Sequence, residues 1–226
     1  MTYQPVDLTK RELFSLTSVT VPEKYAGHFR GVLLRPEEIQ QGIQRLAGEL
    51  HAVYLKDSIR RNDYIYTIMM MKGGEIFSKA LAGAIKMIRP REFCLALHPL
   101  YVPSYKGTTS TGQVNFGDFD FSPLEGQEVL IGEDIIDTGN LMQATLEEVL
   151  KHNPRTVRVA ALLDKPSRRQ FDLNLDPVQF YTGFTIGNHF VVGYGLDLNE
   201  QYRDLPFIAV PTPEIIDQAN TKRSEL

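Results

Sequence analysis

The sequence has very little cysteine: Cys94 is the only one in 226 residues. A single cysteine cannot form an internal disulfide, which excludes the disulfide-stapled class of small secreted proteins. The first residues contain no apolar stretch of signal-peptide length, so we expect a protein of the reducing cytoplasm. Cys94 itself lies in an apolar segment, and we expect it to be an inert core residue.

Long apolar runs and an excess of positive charge are also missing. No run approaches the roughly 20 residues that a membrane span needs, so no membrane partner is expected. The formal net charge is -4, which argues against nucleic acid as the main partner. Anionic small molecules stay possible, because binding one needs only local positive charge.

Repeats and low-complexity segments are absent as well, which excludes solenoids and disordered chains. With 42% hydrophobic and 23% charged residues, the composition is that of an ordinary globular protein. The length suits one large domain, and we expect residues 1–226 to form it.

Predicted strands and helices alternate along the middle of the chain. Apolar residues spaced by three or four predict helices, and short continuous apolar runs predict strands buried on both faces. Such alternation implies right-handed crossovers, so the predicted fold is α/β, with an open, mainly parallel sheet flanked by helices. The predicted helices cover Glu37–Asp57, Glu75–Ile88 and Leu141–His152, and the strands cover Tyr64–Met71, Phe93–Val102, Glu128–Gly132 and Thr156–Leu163.

Both ends of the chain differ from this core, which we place at about residues 37–175. Residues 1–36 and 176–226 are predicted to form a small hood from short β-like pieces such as Val178–Tyr181, Phe190–Gly193 and Phe207–Val210. Residues 103–123 are rich in Ser, Thr and Gly, and so long a loop is usually functional or disordered. Weak alternation from Gln113 is compatible with a hairpin there.

The segment around residues 129–142 carries the strongest chemical signal. A buried strand leads to Glu133 and Asp134, then to Asp137, and a Thr138-Gly139 turn opens a helix. Backbone N–H groups and the helix dipole at such a turn favour a phosphate. From these residues alone, a purely structural interpretation is about as good: a helix N-cap at Asp137 or Thr138, and a solvated acidic corner.

Three further segments follow predicted strands, where ligands bind in open parallel sheets. Lys72-Gly73-Gly74 is an anion-receptive turn, although such turns are more often structural. Lys165 could donate to a carbonyl, although most lysines in this position are solvated. The segment from Phe190 to Asp197 offers an aromatic face and a carboxylate, or it is an ordinary edge strand and turn.

Taken together and in this order, the segments resemble the purine phosphoribosyltransferases of the hypoxanthine-guanine type, over about residues 72–204. EDIIDTG looks like that family's motif for phosphoribosyl pyrophosphate, and FVVGYGLDLNEQYRDL looks like its base and metal segment. The resemblance implies a type I phosphoribosyltransferase fold and a purine salvage transferase. Its substrates would be phosphoribosyl pyrophosphate and a 6-oxopurine, hypoxanthine or guanine, giving IMP or GMP and pyrophosphate.

The resemblance also implies roles for individual residues in binding the donor. Glu133 and Asp134 would hold the ribose hydroxyls and Mg²⁺, and Arg203 would bind pyrophosphate. Ser104 and Tyr105 would begin a mobile loop of about residues 103–123. The pyrophosphate turn, which in this family often contains a non-proline cis peptide, would consist of Met71, Lys72 and Gly73. The 5′-phosphate turn would comprise residues 137–142, including Thr138, Gly139, Asn140 and Leu141.

On the purine side, Asp137 would face N7 as a general base or an electrostatic partner. Lys165 would donate to O6, Phe190 would stack on the ring, and the Val191 backbone would contact its edge. Asp197 would hold a second Mg²⁺ ion and lie near the base. The preference among hypoxanthine, guanine and xanthine stays open.

One departure from the family pattern lies in the phosphate turn. Leu141 stands where the family commonly has a hydroxyl residue, and Asn140 precedes it in place of a basic residue. Loss of a side-chain donor predicts weakened binding of the 5′-phosphate. This departure also supports an alternative, a non-catalytic regulator of the same fold that binds nucleotide. The resemblance further implies a homodimer or homotetramer.

Overall fold

The computed structural model describes residues 3–56, 64–88, 94–102, 114–170 and 177–224. Ser104, Tyr105 and most of the predicted loop of residues 103–123 lie outside these ranges. In chain order the elements are β1 (Val6–Leu8), β2 (Phe29–Leu34), α1 (Pro36–Lys56), β3 (Tyr64–Met71), α2 (Gly74–Ile88), β4 (Cys94–Tyr101), β5 (Glu128–Ile136), α3 (Asn140–Leu150), β6 (Thr156–Asp164), β7 (Gln179–Ile186), β8 (Ile208–Pro211) and α4 (Pro213–Ser224).

A six-stranded sheet forms the centre of the molecule, in the order β1-β7-β6-β5-β3-β4. Every neighbouring pair in it is parallel, which confirms the predicted α/β class. Because all the strands run the same way, their carboxyl ends meet at one edge of the sheet, where ligands bind in such folds.

Helices cover both faces of this sheet. The apolar stripes of α1 and α2, among them Ile43, Leu46 and Phe77, pack with Leu130 in one core cluster. On the opposite face, Leu146 and other residues of α3 pack in a second cluster with Val129 and Ile131. Residues 129–131 of β5 therefore alternate between the two clusters, and this strand is buried on both faces, as its unbroken apolar sequence predicts.

Both ends of the chain contribute to a smaller unit, the hood. Strands β2 and β8 pair antiparallel, and a third core cluster including Phe29 and Phe207 packs around them and α4. The partition of the chain nevertheless differs from the prediction. Strands β1 and β7 lie in the main sheet, where Val6 pairs with Phe184 and Phe184 pairs with Leu163 of β6. The Phe190–Gly193 piece forms only isolated bridges, between Val192 and Ala209 and between Gly193 and Leu196.

Two local predictions were wrong. Strand β5 continues past Gly132 to Ile136, because Glu133 and Ile136 still pair with β6. Cys94 is exposed, since β4 lies at the edge of the sheet. The described residues 114–121 contain no strand, and the rest of the loop in which a hairpin was considered lies outside the described ranges. None of the helices in the described ranges combines the length and apolar character needed to cross a membrane.

Candidate active site

A cavity of about 250 Å³ opens at the carboxyl edge of the sheet. It brings together the ends of β5 and β6 and the segment that follows β7. Every residue predicted to bind the purine lies in its wall. The lining residues are Asp134, Ile135, Asp137, Lys165, Phe190, Val191, Leu196 and Asp197.

Two cations bind Asp137 in this cavity. The buried Lys165 places Nζ 3.1 Å from Oδ2, and Arg168 places Nε 2.9 Å from Oδ1. Partial burial alone would raise the pKa of Asp137, but hydrogen bonds and charge from Arg168 and Lys165 outweigh it, and the pKa is lowered. The Asp137 carboxylate is therefore an anion at neutral pH, and it does not serve as the N-cap of α3.

Glu133 and Asp134 show the opposite behaviour. Both are about 8% exposed, so they do not form a solvated corner. Burial, and then the neighbouring charge of Asp134, raises the pKa of Glu133 well above its usual range. Burial likewise raises the pKa of Asp134, although the charge of Arg203 opposes the shift. A bound cation would favour the charged form of both carboxyls.

This carboxylate pair fits Mg²⁺. In the described ranges, no group of three or more His, Cys, Asp or Glu side chains is arranged to hold a metal ion. Mg²⁺ does not require such a cage, because it is usually held by one or two carboxylates together with water and substrate phosphate oxygens. Buried carboxylates with raised pKa values are suitable ligands of that kind. Asp197 lines the same cavity, with its Oδ1 atom 2.8 Å from Arg203.

The turn after β3 packs tightly against this pair. The Met71–Lys72 peptide bond is cis, as the family resemblance led us to expect. A Cβ atom on Gly73 would lie 1.8 Å from Oδ2 of Asp134, so a side chain there would displace the carboxylate. Gly195 has a φ of 101°, and a Cβ atom on it would lie 2.2 Å from the Gly73 carbonyl oxygen. The turn is thus held between the end of β5 and the segment after β7.

The side chains around the same turn form a charged network. Lys72 Nζ lies 2.8 Å from Oε2 of Glu200. Arg203 lies 3.3 Å from Oε1 of Glu200 and donates to the Gly195 carbonyl at 2.7 Å. The structure therefore brings the two predicted pyrophosphate ligands, Lys72 and Arg203, to one carboxylate.

The predicted phosphate turn ends in helix α3. Gly139 is the N-cap residue, with a φ of 89°, and no side chain caps this end of the helix. The backbone N–H of Gln170 donates to the Thr138 carbonyl at 2.9 Å, which fixes the turn from the β6 side. Leu141 packs against the second core cluster. An uncapped helix N-terminus beside the cavity offers backbone N–H donors to an anion.

Comparison with known proteins identifies the family. Residues 33–199 match the phosphoribosyl transferase domain. The chain belongs to this family. The hypoxanthine-guanine phosphoribosyltransferase of Mycobacterium avium is 35% identical over 206 residues, covering 90% of this chain and 96% of that protein. The enzyme of the same name from Sus scrofa is 35% identical over 201 residues, covering 87% and 88%.

Solved structures agree with this family. Hypoxanthine phosphoribosyltransferase from Trypanosoma cruzi, in complex with the product IMP, superposes with a TM-score of 0.75 at 29% identity, covering 87% of this chain and 99% of that one. A second structure of that enzyme, from a study of its C-terminal region, gives a TM-score of 0.76 at 28% identity, covering 92% and 100%.

Sequence reasoning missed two charged residues of this phosphoribosyltransferase site. Arg168 binds Asp137, and it lies only three residues after Lys165, in a short 3-10 turn over Pro166–Arg168. Glu200 binds Lys72, and it lies within the segment FVVGYGLDLNEQYRDL. Each residue lies close in sequence to a predicted site residue, and this closeness could have indicated it. Only the folded chain shows which partner each side chain contacts.

Proposed function

We propose that this chain is a purine salvage enzyme that transfers 5-phosphoribosyl from phosphoribosyl pyrophosphate to N9 of hypoxanthine or guanine. The observation that carries the proposal is the cavity, in which Asp137, Lys165, Phe190 and Asp197 meet. The names of the relatives support the same assignment. The products would be IMP or GMP and pyrophosphate.

Recognition of a 6-oxopurine follows from the donors and acceptors in the cavity. An ammonium group donates hydrogen bonds but accepts none, so Lys165 favours a 6-oxo group over a 6-amino group. Phe190 is 43% exposed at the cavity and offers a face on which the base can stack. Val191 lies beside it, and its backbone groups would contact the edge of the base.

The lowered pKa of Asp137 favours one of the two roles left open for this residue. A carboxylate that is paired with Lys165 and Arg168 is a weak base, so we assign Asp137 the role of an electrostatic partner of the purine and not that of a general base. As N9 attacks C1′, the purine gains positive charge, and the anionic Asp137 would stabilise its N7–H group. The bond from C1′ to the pyrophosphate oxygen breaks as the bond from N9 to C1′ forms, and the proton on N7 then passes to solvent water, which leaves the neutral purine of IMP or GMP.

Positive groups on the other side of C1′ would stabilise the departing pyrophosphate. Lys72, Arg203 and the N–H groups of the turn after β3 belong to that side, and the N-terminus of α3 would receive the 5′-phosphate. Glu133, Asp134 and Asp197 would hold Mg²⁺. When bound, Mg²⁺ would neutralise negative charge on the pyrophosphate.

Other parts of the proposal come from the family resemblance. Ser104 and Tyr105 would lie in a loop that closes over the leaving group and excludes water, and they fall outside the described residues. A homodimer or homotetramer, a cytoplasmic location, and the absence of nucleic-acid and membrane partners belong to the same proposal.

A direct assay tests the proposed reaction. Hypoxanthine, guanine, xanthine or adenine is incubated with phosphoribosyl pyrophosphate, Mg²⁺ and the protein, and nucleotide is quantified by chromatography. We expect IMP and GMP, and little or no AMP. If no base yields nucleotide while nucleotide still binds, the chain is a non-catalytic regulator of the same fold. The altered turn at Asn140 and Leu141 would then be the feature that distinguishes it from the enzymes.

A further inference from the structure

Glu200 occupies the two side-chain cations that the proposed function gives to pyrophosphate. Its carboxylate lies 2.8 Å from Nζ of Lys72 and 3.3 Å from the guanidinium of Arg203, which it shares with Asp197 at 2.8 Å. Lys72 is 128 positions away in the chain, so the contact comes from the tertiary fold. A carboxylate and a pyrophosphate oxygen seek the same donors, because both are oxygen anions.

The conformation of the loop around Glu200 fixes the position of this residue. Asn199, Glu200 and Tyr202 have φ values of 52°, 63° and 73°, a region that non-glycine residues seldom adopt. The backbone N–H of Glu200 donates to Asp197 at 2.8 Å, and the Asn199 side chain donates to the Ala219 carbonyl at 2.9 Å. These contacts, one of them from helix α4, hold the Glu200 carboxylate next to the turn after β3.

We propose that Glu200 is an internal anion that holds Lys72, and with Asp197 holds Arg203, until pyrophosphate, or the pyrophosphate group of the donor, binds and displaces it. The inference deepens the proposed function and rests on it. The side chains of Lys72 and Glu200 are 58% and 62% exposed, so their ion pair is weak enough for a multiply charged ligand to open. Re-forming the pair would assist the release of pyrophosphate.

Neutralising Glu200 tests this competition. Glu200→Gln keeps the shape of the side chain and removes its charge. We expect the variant to bind pyrophosphate with Mg²⁺ about two- to fivefold more tightly by calorimetry, the range that an exposed ion pair allows. The rate constant for pyrophosphate dissociation should fall by a similar factor. Glu200→Ala should shift both quantities in the same direction.

Two further variants make the test specific. Glu148→Gln removes one negative charge from an exposed ion pair with Lys151, at the far end of α3, and should leave pyrophosphate binding unchanged. In a Lys72→Met background, adding Glu200→Gln should tighten binding less than it does in the native protein, because one of the contested cations is gone.

The outcomes separate this inference from the proposed function. If the native protein makes IMP or GMP but Glu200→Gln binds pyrophosphate equally or more weakly, Glu200 aids binding and the inference alone is overturned. An equal effect of Glu148→Gln would also overturn it, since net charge would then explain the change. If the native protein makes no nucleotide and binds no pyrophosphate, both proposals fail together.

Discussion

At the scale of single residues, the site contains carboxylates in two opposite electrostatic states. Asp137 has two cationic partners, which lower its pKa despite its partial burial. Glu133 and Asp134 are buried beside each other, and the pKa of each is raised. Asp137 is therefore already an anion when a purine binds. The second pair gains most from a cation, which is the behaviour expected of metal ligands.

Replacing Asp137 by asparagine tests the first state. Asp137→Asn keeps the shape but removes the charge that would stabilise the purine N7–H group. We expect kcat to fall by about 10²–10³-fold, the usual cost of removing one electrostatic partner of the transition state. The melting temperature should fall as well, because the buried Lys165 loses its counter-charge. Steady-state kinetics with hypoxanthine and thermal unfolding measure the two effects. A fall of less than threefold would contradict the assigned role.

Replacing Glu133 by glutamine tests the second state. A carboxyl whose folded pKa is raised costs stability above its usual pKa of 4.5, because the charged form is disfavoured in the fold. Glu133→Gln should therefore increase the free energy of unfolding at pH 7 without metal by about 1 kcal/mol, the size of a typical stabilising substitution. The gain should shrink as the pH falls towards 4.5.

Activity should change in the opposite sense. Since Glu133 is also proposed to hold Mg²⁺ and ribose, the stabilised variant should lose most of its activity. Urea unfolding in the presence of a chelator measures the stability, and Glu148→Gln, at a half-buried carboxylate away from the site, serves as the control. A less stable Glu133→Gln protein would show that this carboxylate is well accommodated without a cation.

At the scale of elements, the site depends on close backbone approach between segments far apart in the chain. The turn after β3 touches the segment after β7 through Gly73 and Gly195. The sequence shows two glycines in the turn and predicts an anion-receptive loop. It does not show that Gly195 is needed at the same place, because that need arises from a contact across 122 positions.

A pair of glycine substitutions tests this contact. Gly195→Ala would force an L side chain to a φ of 101° and against the Gly73 carbonyl. We expect it to lower the free energy of unfolding by about 1–3 kcal/mol and to raise the KM for phosphoribosyl pyrophosphate. Gly48→Ala is the matched control, because its Cβ would meet nothing within 4 Å in the exposed middle of α1. It should stabilise the protein by about 0.5–1 kcal/mol.

At the scale of the whole molecule, charged groups are sorted to the two ends of the sheet. The site lies at the carboxyl ends of the strands. Near the opposite ends, the buried Arg158 lies 2.7 Å from Glu128, which also binds Arg155 and the Thr156 hydroxyl. The first network serves ligands, and the second ties the starts of β5 and β6 together.

Glu128→Gln should separate stability from activity. Breaking a buried ion pair typically costs about 3–5 kcal/mol, so we expect a loss near the lower figure at pH 7, with unchanged KM values. Burial opposes the shift, but Thr156, Arg158 and Arg155 lower the pKa of Glu128. Its contribution is therefore present above the usual pKa of 4.5 and is lost as the pH falls through the lowered value.

The measurement is urea unfolding of the native protein and the variant over a range of pH. The difference in the free energy of unfolding between them should shrink in acid. A difference that stays constant across that range would mean that Glu128 contributes through packing and not through its charge.

Much of the fold is local information. The bounds of β3 and α2 and the start of α1 agree with the apolar spacing to within one residue, because burial of a periodic stripe needs no knowledge of the partner. The end of β5 and the membership of β7 do not follow from such spacing. Glu133 and Asp134 look like a solvated corner, and they continue the strand only because β6 supplies the pairing.

The candidate site divides in the same way. The sequence by itself determined which chemical groups are available: the acidic run at 133–137, the turn at Lys72, Lys165, and the aromatic and acidic segment from Phe190 to Asp197. Only the tertiary structure decided their charge states and partners. It pairs Asp137 with two cations, buries Glu133 beside Asp134, and forms the ion pair between Lys72 and Glu200. A pKa or an ion pair depends on what lies within a few ångströms, and those neighbours come from distant parts of the chain.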